Sequence, residues 1–248
     1  MKHLFVPSVF CVGILVFVSC KKTDCFPTVG PEKFYRLEKV YGDFNLFLGD
    51  QTGTFTYNSK GNPISFTKKD IGTGNGDMIF RYNDKGWPSD FIMMYKEGSG
   101  FERWNSYTYL NNGKNIIDSV FVFGKIVNNR PSDYSILYLH YLEMDTKGRV
   151  IKDSAIFPGE DTFVTIYTYD SKGNFPGMKF DNKINWHRLN KFFQLIERDF
   201  CQNNPLDEKN LEYSYNNVGL PVKMTQSNPN HYFLTTSFTR LQFEYSFR

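Results

Sequence analysis

The feature that most restricts this chain is a short unit that recurs six times: an aromatic or apolar residue, then glycine four positions on. The copies are Tyr57-Asn58-Ser59-Lys60-Gly61, Tyr82-Asn83-Asp84-Lys85-Gly86, Tyr109-Leu110-Asn111-Asn112-Gly113, Met144-Asp145-Thr146-Lys147-Gly148, Tyr169-Asp170-Ser171-Lys172-Gly173 and Tyr215-Asn216-Asn217-Val218-Gly219. Asn or Asp at the first turn position can bind the backbone two residues on, and the next two residues suit a type I turn. Glycine then takes the left-handed conformation that costs other residues energy, and forms a bulge. The aromatic residue ends one strand, and an apolar stretch starts the next: Ile64, Phe91, Ile116-Ile117, Val150-Ile151 and Val222. Each unit is therefore the head of a β-hairpin. Pro63, Pro88 and Pro221 stand two residues past a glycine, where a residue without an N–H fits an irregular bulge.

The glycines lie 25, 27, 35, 25 and 46 residues apart (86−61, 113−86, 148−113, 173−148, 219−173). Two intervals match a hairpin with its return strand, and the two longest hold insertions. Between the turns, apolar and polar residues alternate. Leu241, Phe243, Tyr245 and Phe247 share one face, as do Phe163, Thr165, Tyr167 and Tyr169, and Leu211, Tyr213 and Tyr215. Period-two alternation implies an antiparallel sheet covered on one side. In the last insertion Trp186, Leu189, Phe193, Ile196 and Phe200 fall at helical spacing. This predicts one helix over 185–200, stopped by Asn203-Asn204-Pro205, with its apolar stripe packed on the sheet.

The N-terminus is an address. Lys2, the apolar run Leu4 to Val18, and Phe17-Val18-Ser19-Cys20 form a signal peptide ending in something similar to a lipobox, with Phe17 in place of the usual Leu. Residues 1–19 would be removed, Cys20 would carry the lipid, and 20–34 would tether the domain at 35–248. Processing leaves 248 − 19 = 229 residues. The alternative is an uncleaved membrane anchor, for which the run is short against the ~20 residues a span needs. Several acyl chains would hold the protein firmly, at ~0.8 kcal/mol per buried methylene. The expected location is the cell envelope, at the outer membrane, on its periplasmic or its outer side. Cys11 leaves with the leader, so Cys25 and Cys201 remain. An envelope permits them to pair, but nothing in the sequence brings them together, and they are read as free thiols.

The Tyr-Asn/Asp-x-x-Gly unit with its following strand resembles the YD repeats of RHS-type shell proteins. It is closer still to small YD-like lipoproteins of the Bacteroidota. In those, a lipobox leads a meander of such hairpins, and a late Tyr-Asp turn is followed by an insertion, an Asn-Asn pair and a final Tyr-x-Tyr-Asn-x-x-Gly strand. The counterparts are Tyr169 to Pro176, Asn203-Asn204, and Tyr213 to Pro221, with Phe175-Pro176 in inverted order and Leu220 in place of Tyr. The resemblance covers 35–248 and implies a fold and an envelope location, with no catalytic residues to carry over.

The chemistry-bearing residues are few. His140 lies mid-strand and is expected to hydrogen-bond within the sheet. His187 follows Trp186 at the helix start, as a surface or capping residue, and His231 sits in a loop. Asp118 and Asp153 each stand five residues after a repeat glycine and are expected to face solvent, each on its own strand. A catalytic reading would need them in one cleft with a histidine. Gly72 to Asp77 lacks the Lys-Ser/Thr of a phosphate loop, and Asp70 with Asp77 gives too few ligands for calcium. There is no CxxC and no HExxH, so no metal and no cofactor is expected. The net charge is +3, from 29 Lys+Arg against 26 Asp+Glu, with 16 Tyr and 25 Phe, which gives no footprint for nucleic acid. Trp87 and Trp104 are the candidate binding aromatics, since exposed indoles stack on sugars or on a partner protein. The expectation is an all-β domain, a curved antiparallel meander of YD-like hairpins with one short helix near 185–200. It would act as a non-catalytic structural or interaction module, with carbohydrate binding through the indoles as one alternative and envelope hydrolysis as another.

Overall fold

A computed structural model describes residues 35–43, 49–70, 72, 76–95, 100–206, 210–227 and 231–247. The leader, Cys20, Cys25 and part of the 72–77 loop lie outside these residues. The chain is an antiparallel β structure with one short α-helix. Its strands are β1 (Tyr35–Gly42), β2 (Gln51–Tyr57), β3 (Pro63–Lys68), β4 (Asp77–Tyr82), β5 (Pro88–Met94), β6 (Gly100–Leu110), β7 (Asn115–Val127), β8 (Arg130–Ser132), β9 (Ile136–Met144), β10 (Val150–Ile156) and β11 (Phe163–Ile166). After α1 (Lys191–Glu197) come β12 (Leu211–Tyr215), β13 (Pro221–Gln226), the small β14 (Tyr232–Phe233) and β15 (Thr236–Ser237), and β16 (Arg240–Phe247). The main sheet runs β11-β10-β9-β7-β6-β5-β4-β3-β2-β1-β16-β13-β12, with β8 paired to β7. The meander is thus extended at its start by the C-terminal strands: β16 pairs with β1, bringing Val40 opposite Phe243 and Gly42 opposite Leu241.

The repeat glycines are all left-handed, with φ of 74° at Gly61, 76° at Gly86, 84° at Gly113, 72° at Gly148, 85° at Gly173 and 85° at Gly219. In five of the six turns the leading Asn or Asp uses one side-chain oxygen twice. Asn83 Oδ1 accepts from the N–H of Lys85 and of Trp87, each at 3.0 Å. Asn58, Asp145, Asp170 and Asn216 do the same two and four residues on. At four of these turns the ladder shifts register at the aromatic or Met position, and at three of them that residue faces the expected proline: Tyr57–Pro63, Tyr82–Pro88 and Tyr215–Pro221.

The Tyr109 copy differs. Leu110 offers no acceptor, so no cage forms. Asn111 and Asn112 turn left-handed together with Gly113, and β6 and β7 stay in register to Leu110–Asn115. Asn tolerates this conformation better than other non-glycine residues.

The sheet folds around residues of its own chain. Phe55, Phe66, Phe80 and Phe91 from the strands meet Trp186, Phe192 and Phe193 from the segment between β11 and β12, and Phe233 from the β14–β15 hairpin. Ring centroids lie 5.3 Å apart for Phe80–Phe192 and 5.1 Å for Trp186–Phe233, spacings favourable for aromatic packing. The expected single helix is divided. A 3-10 turn (Trp186–Leu189) is capped by Asn185, extended Asn190 interrupts the run, and Asn190 Oδ1 caps α1 through the Phe192 N–H at 2.8 Å. The helix also ends early. Arg198 is left-handed (φ 55°), five residues before the Asn203 expected to stop it.

The alternation predicted for 163–169 ends partway. Phe163, Val164 and Ile166 are 57%, 54% and 62% exposed on the edge strand β11. Tyr167 and Tyr169 turn onto the core, with the Tyr169 hydroxyl donating to Val150 O at 2.8 Å.

Three substitutions test the turn account by chemical denaturation. Gly86→Ala, where a Cβ meets nothing within 4 Å, should cost about 1–2 kcal/mol from backbone conformation alone. Asn83→Ala, which removes both acceptor contacts, should cost about 1–2 kcal/mol. Gly173→Ala should cost more than Gly86→Ala, because its Cβ would come within 2.7 Å of Gln202 Cγ.

Candidate functional site

Two polar clusters lie beneath the segment that crosses the sheet. In the first, Asp118 and Asp153 do not face solvent as expected. Inward residues alternate along β7 as Ile116, Asp118 and Val120, all fully buried. The register shift at the start of β10 brings Asp153 to the same face. Arg198 Nη2 donates to Asp118 Oδ2 at 2.6 Å, and its Nε donates to Asp153 Oδ2 at 3.2 Å. Asn105 Nδ2 donates to Asp118 at 2.9 Å, and His140 Nδ1 lies 2.8 Å from Asp153 Oδ1, the in-sheet hydrogen bond expected of His140.

Burial opposes charge on Asp153, but the hydrogen bond from His140 and the Arg198 guanidinium outweigh it and hold the carboxyl below its ordinary range. Burial likewise opposes charge on Arg198, and Asp118, Tyr107 and Asp153 together more than offset it, so the guanidinium stays protonated. Asp118 is the residue with the least solvent, and Arg198 is its cation.

The second cluster is built on the Asn185 cap. Asn185 Oδ1 accepts the His187 N–H at 3.0 Å, which makes His187 part of the cap as expected but turns its ring inward rather than to the surface. His187 Nδ1 lies 2.9 Å from Asp199 Oδ2 and 2.9 Å from Asn185 Oδ1. Asn185 Nδ2 donates to the same Asp199 oxygen at 2.8 Å, and the Cys201 N–H donates to Asp199 Oδ1 at 2.9 Å. Both neighbours of Nδ1 are acceptors, so Nδ1 carries the hydrogen. Nε2 is then the free ring atom, and it is buried without a hydrogen-bond partner.

Burial would raise Asp199, but the His187 ring and these hydrogen bonds hold it below the ordinary range. Glu197 goes the other way: burial raises it, although Thr235 N–H donates to its Oε1 at 2.9 Å. These groups border a cavity of about 180 Å³ that Leu211, Tyr213, Met224 and Tyr232 also line, with His231 at one side.

The aromatic sites fall elsewhere. Trp104 is 1% exposed and cannot be a stacking platform. It packs with Ile92 and Phe101 in a separate core, Nε1 donates to Asp90 at 2.8 Å, and Arg81 lies 5.2 Å over its ring. That core covers the sheet face the alternation assigned to water. Trp87 is half-buried, 4.9 Å from Tyr109 and 4.8 Å from Lys85 Nζ. Cys201 is a buried free thiol, and burial pushes it up, away from the reactive thiolate. Among the described residues no group of three or more His, Cys, Asp or Glu could hold a metal.

No family model and no curated protein matches the chain. Among solved structures it is similar to a porin-like protein from Bacteroides vulgatus ATCC 8482, at 14% identity and TM-score 0.38, over 85% of this chain and 98% of that one. It is also similar to parts of the chains in TcdB2-TccC3-Cdc42 (14% identity, TM-score 0.30, 72% of this chain) and TcdB2-TccC3-TEV (13%, 0.29, 73%). It spans 9% of the chain in each of those two.

Arg198→Ala should destabilise the domain by about 3–5 kcal/mol in urea melts, because it strands a buried carboxylate, and Arg198→Lys should recover only part of this. Asp153 and Asp199 have folded pKa values below their unfolded ones. The stability they contribute is therefore present above about pH 4 and lost as pH falls through the folded values. Melts across that range should show a steep acid limb, which Asp153→Asn makes shallower.

Proposed function

We propose that this chain is a lipid-anchored envelope protein, related to the YD-repeat lipoproteins, whose β domain is a non-catalytic structural or interaction module. One observation carries the non-catalytic part. Asp118, Asp153 and His140, the residues a hydrolase would need together, do converge, but around Arg198, which pairs both carboxylates. The cluster joins β6, β7, β9 and β10 to the end of α1, which is the work of a staple. A general base needs an open approach to substrate, and Asp118 is fully buried.

The anchor rests on the leader and Cys20. The family reading is supported by the same side-chain cage at five YD-like turns. The interaction role is supported by β11, an edge strand with exposed Phe163, Val164 and Ile166 and without a charged residue among 163–166. Edges of that kind accept a further strand or an apolar partner.

Metabolic labelling with a palmitate analogue, followed by fractionation, tests the anchor. The wild type should label and sediment with membranes, and Cys20→Ala should do neither. A label that persists in Cys20→Ala contradicts the anchor. Turnover of a glycan, ester or peptide substrate by the purified protein contradicts the non-catalytic reading.

A further inference from the structure

The turn cage uses only the backbone of the residue before its glycine. In four copies that residue is Lys60, Lys85, Lys147 or Lys172, and its N–H donates to the leading Asn or Asp. Val218 donates in the same way in the Tyr215 copy, at 3.2 Å, so the turn does not require a lysine there. In the Tyr109 copy Lys114 directly follows the glycine. All five lysines are exposed, and none of them forms an ion pair among the described residues.

The topology gathers these lysines at one end of the sheet. Every pairing in the meander is antiparallel, and the start of β7 lies beside the end of β9, so the repeat turns all fall on the same side. Arg149 lies 3.9 Å over the Tyr169 ring, which puts the fifth turn beside the fourth. The first four turns follow one another two strands apart, about 10 Å at ~4.8 Å per strand. The chain enters β1 at this end too: the Tyr57 hydroxyl donates to Leu37 O, and Arg36 lies 5.1 Å over the Tyr57 ring. Exposed Glu160 and Asp161, in the loop between β10 and β11, lie at the opposite end.

The six units, each with the residue after its glycine, hold six cations (the five lysines and Arg149) and three carboxylates (Asp84, Asp145 and Asp170), 6 − 3 = +3. The whole chain is also +3, so everything outside the turns sums to zero. Asp145 and Asp170 each hold two backbone N–H groups, and Asp145 also pairs with Arg149 at 2.7 Å. A small anion would need the ammonium groups to converge on it. These stand in a row along one edge, which matches an extended anionic surface. The tether brings such a surface close, since Cys20 precedes Tyr35 by 35 − 20 = 15 residues.

We infer that the turn-bearing end of the sheet docks on an anionic phospholipid bilayer, with Lys60, Lys85, Lys114, Lys147 and Lys172 against its phosphate groups. The inference rests on the anchored reading and adds an orientation to it, with the turns towards the membrane and the β10–β11 loop away from it. Each lysine held at such a surface strengthens the contact about fivefold.

Trp87 is the natural reporter. It follows a turn glycine and is half-buried, whereas Trp104 and Trp186 are 1% and 2% exposed. The full chain, purified from membranes with its lipid, is reconstituted into vesicles of phosphatidylcholine, alone or with phosphatidylglycerol, that carry a nitroxide on a headgroup. Tryptophan quenching should be at least about twofold stronger in the anionic vesicles and should fall to the zwitterionic level in high salt. Trp87→Phe should remove the difference. Changing all five lysines to glutamine should abolish it without moving the melting temperature, and changing them to arginine should keep it. Lys125→Gln with Arg130→Gln, exposed cations at the other end of the sheet, should leave it unchanged.

Equal quenching in the two membranes overturns the inference, as does a difference that survives in the folded glutamine variant. Flotation reads the anchor separately. A lipid-bearing protein floats with both kinds of vesicle. One that floats with the anionic vesicles alone contradicts the anchor and keeps the docking surface.

Discussion

One side-chain oxygen that accepts two backbone N–H groups is the interaction on which the rest of this molecule depends. Used at Asn58, Asn83, Asp145, Asp170 and Asn216, it sets the length of the reversal and leaves the next residue in the left-handed region to glycine. In a sheet with one covered face, register is critical. A slip of one residue would carry Phe55, Phe80, Phe91 and Met224 from the core to the outside. The cage and its bulge pin the register at the head of a hairpin, before any long-range contact has formed.

The turns alone would leave a curved sheet with one bare apolar face. The chain supplies its own cover, in the segment between β11 and β12 and in the β14–β15 hairpin. That cover is held by more than apolar contact. Arg198 reaches two carboxylates on different strands, Lys191 Nζ donates to the Gly148 carbonyl at 2.6 Å, and Asp181 accepts the Asn204 N–H at 3.0 Å and the Tyr215 hydroxyl. The Arg198, Lys191 and Asp181–Tyr215 contacts join the crossing segment to a strand or a turn, and the Asp181–Asn204 contact ties the segment to itself. Polar staples of this kind fix where a cover sits, while the aromatic stripe supplies most of its burial.

Much of this is legible in the residues. Tyr-Asn/Asp-x-x-Gly gives the turns, alternation gives the covered face, and the stripe from Trp186 to Phe200 gives the cover. Asp118 was also legible, because counting in twos from Ile116 points it inward; its cationic partner was not, since Arg198 lies 80 positions away. Asn190 splits the helix because an asparagine in an apolar run is a better cap than a helical residue. The Tyr109 turn departs because one Leu stands where an acceptor is needed. Trp104 misleads for another reason. β6 buries residues on both faces, Phe101 and Trp104 on one and Tyr107 on the other, and a bulge opposite Met93–Met94 breaks the count between them. The cavity at His187 depends on the Asn185 cap and an aspartate beyond the helix, and no local motif announces that combination.

Amide hydrogen exchange at the turns tests the central claim most directly. The N–H groups of Asn62, Trp87 and Arg149 belong to half-exposed loop residues, where free amides exchange quickly, and those of Asn174 and Leu220 to buried residues beside the same kind of turn. Held by the cage, they should all be protected well beyond the rates of an unstructured chain, whereas the Asn112 amide, in the turn without a cage, should exchange faster. Unprotected amides at those five positions in an otherwise folded protein would contradict the account.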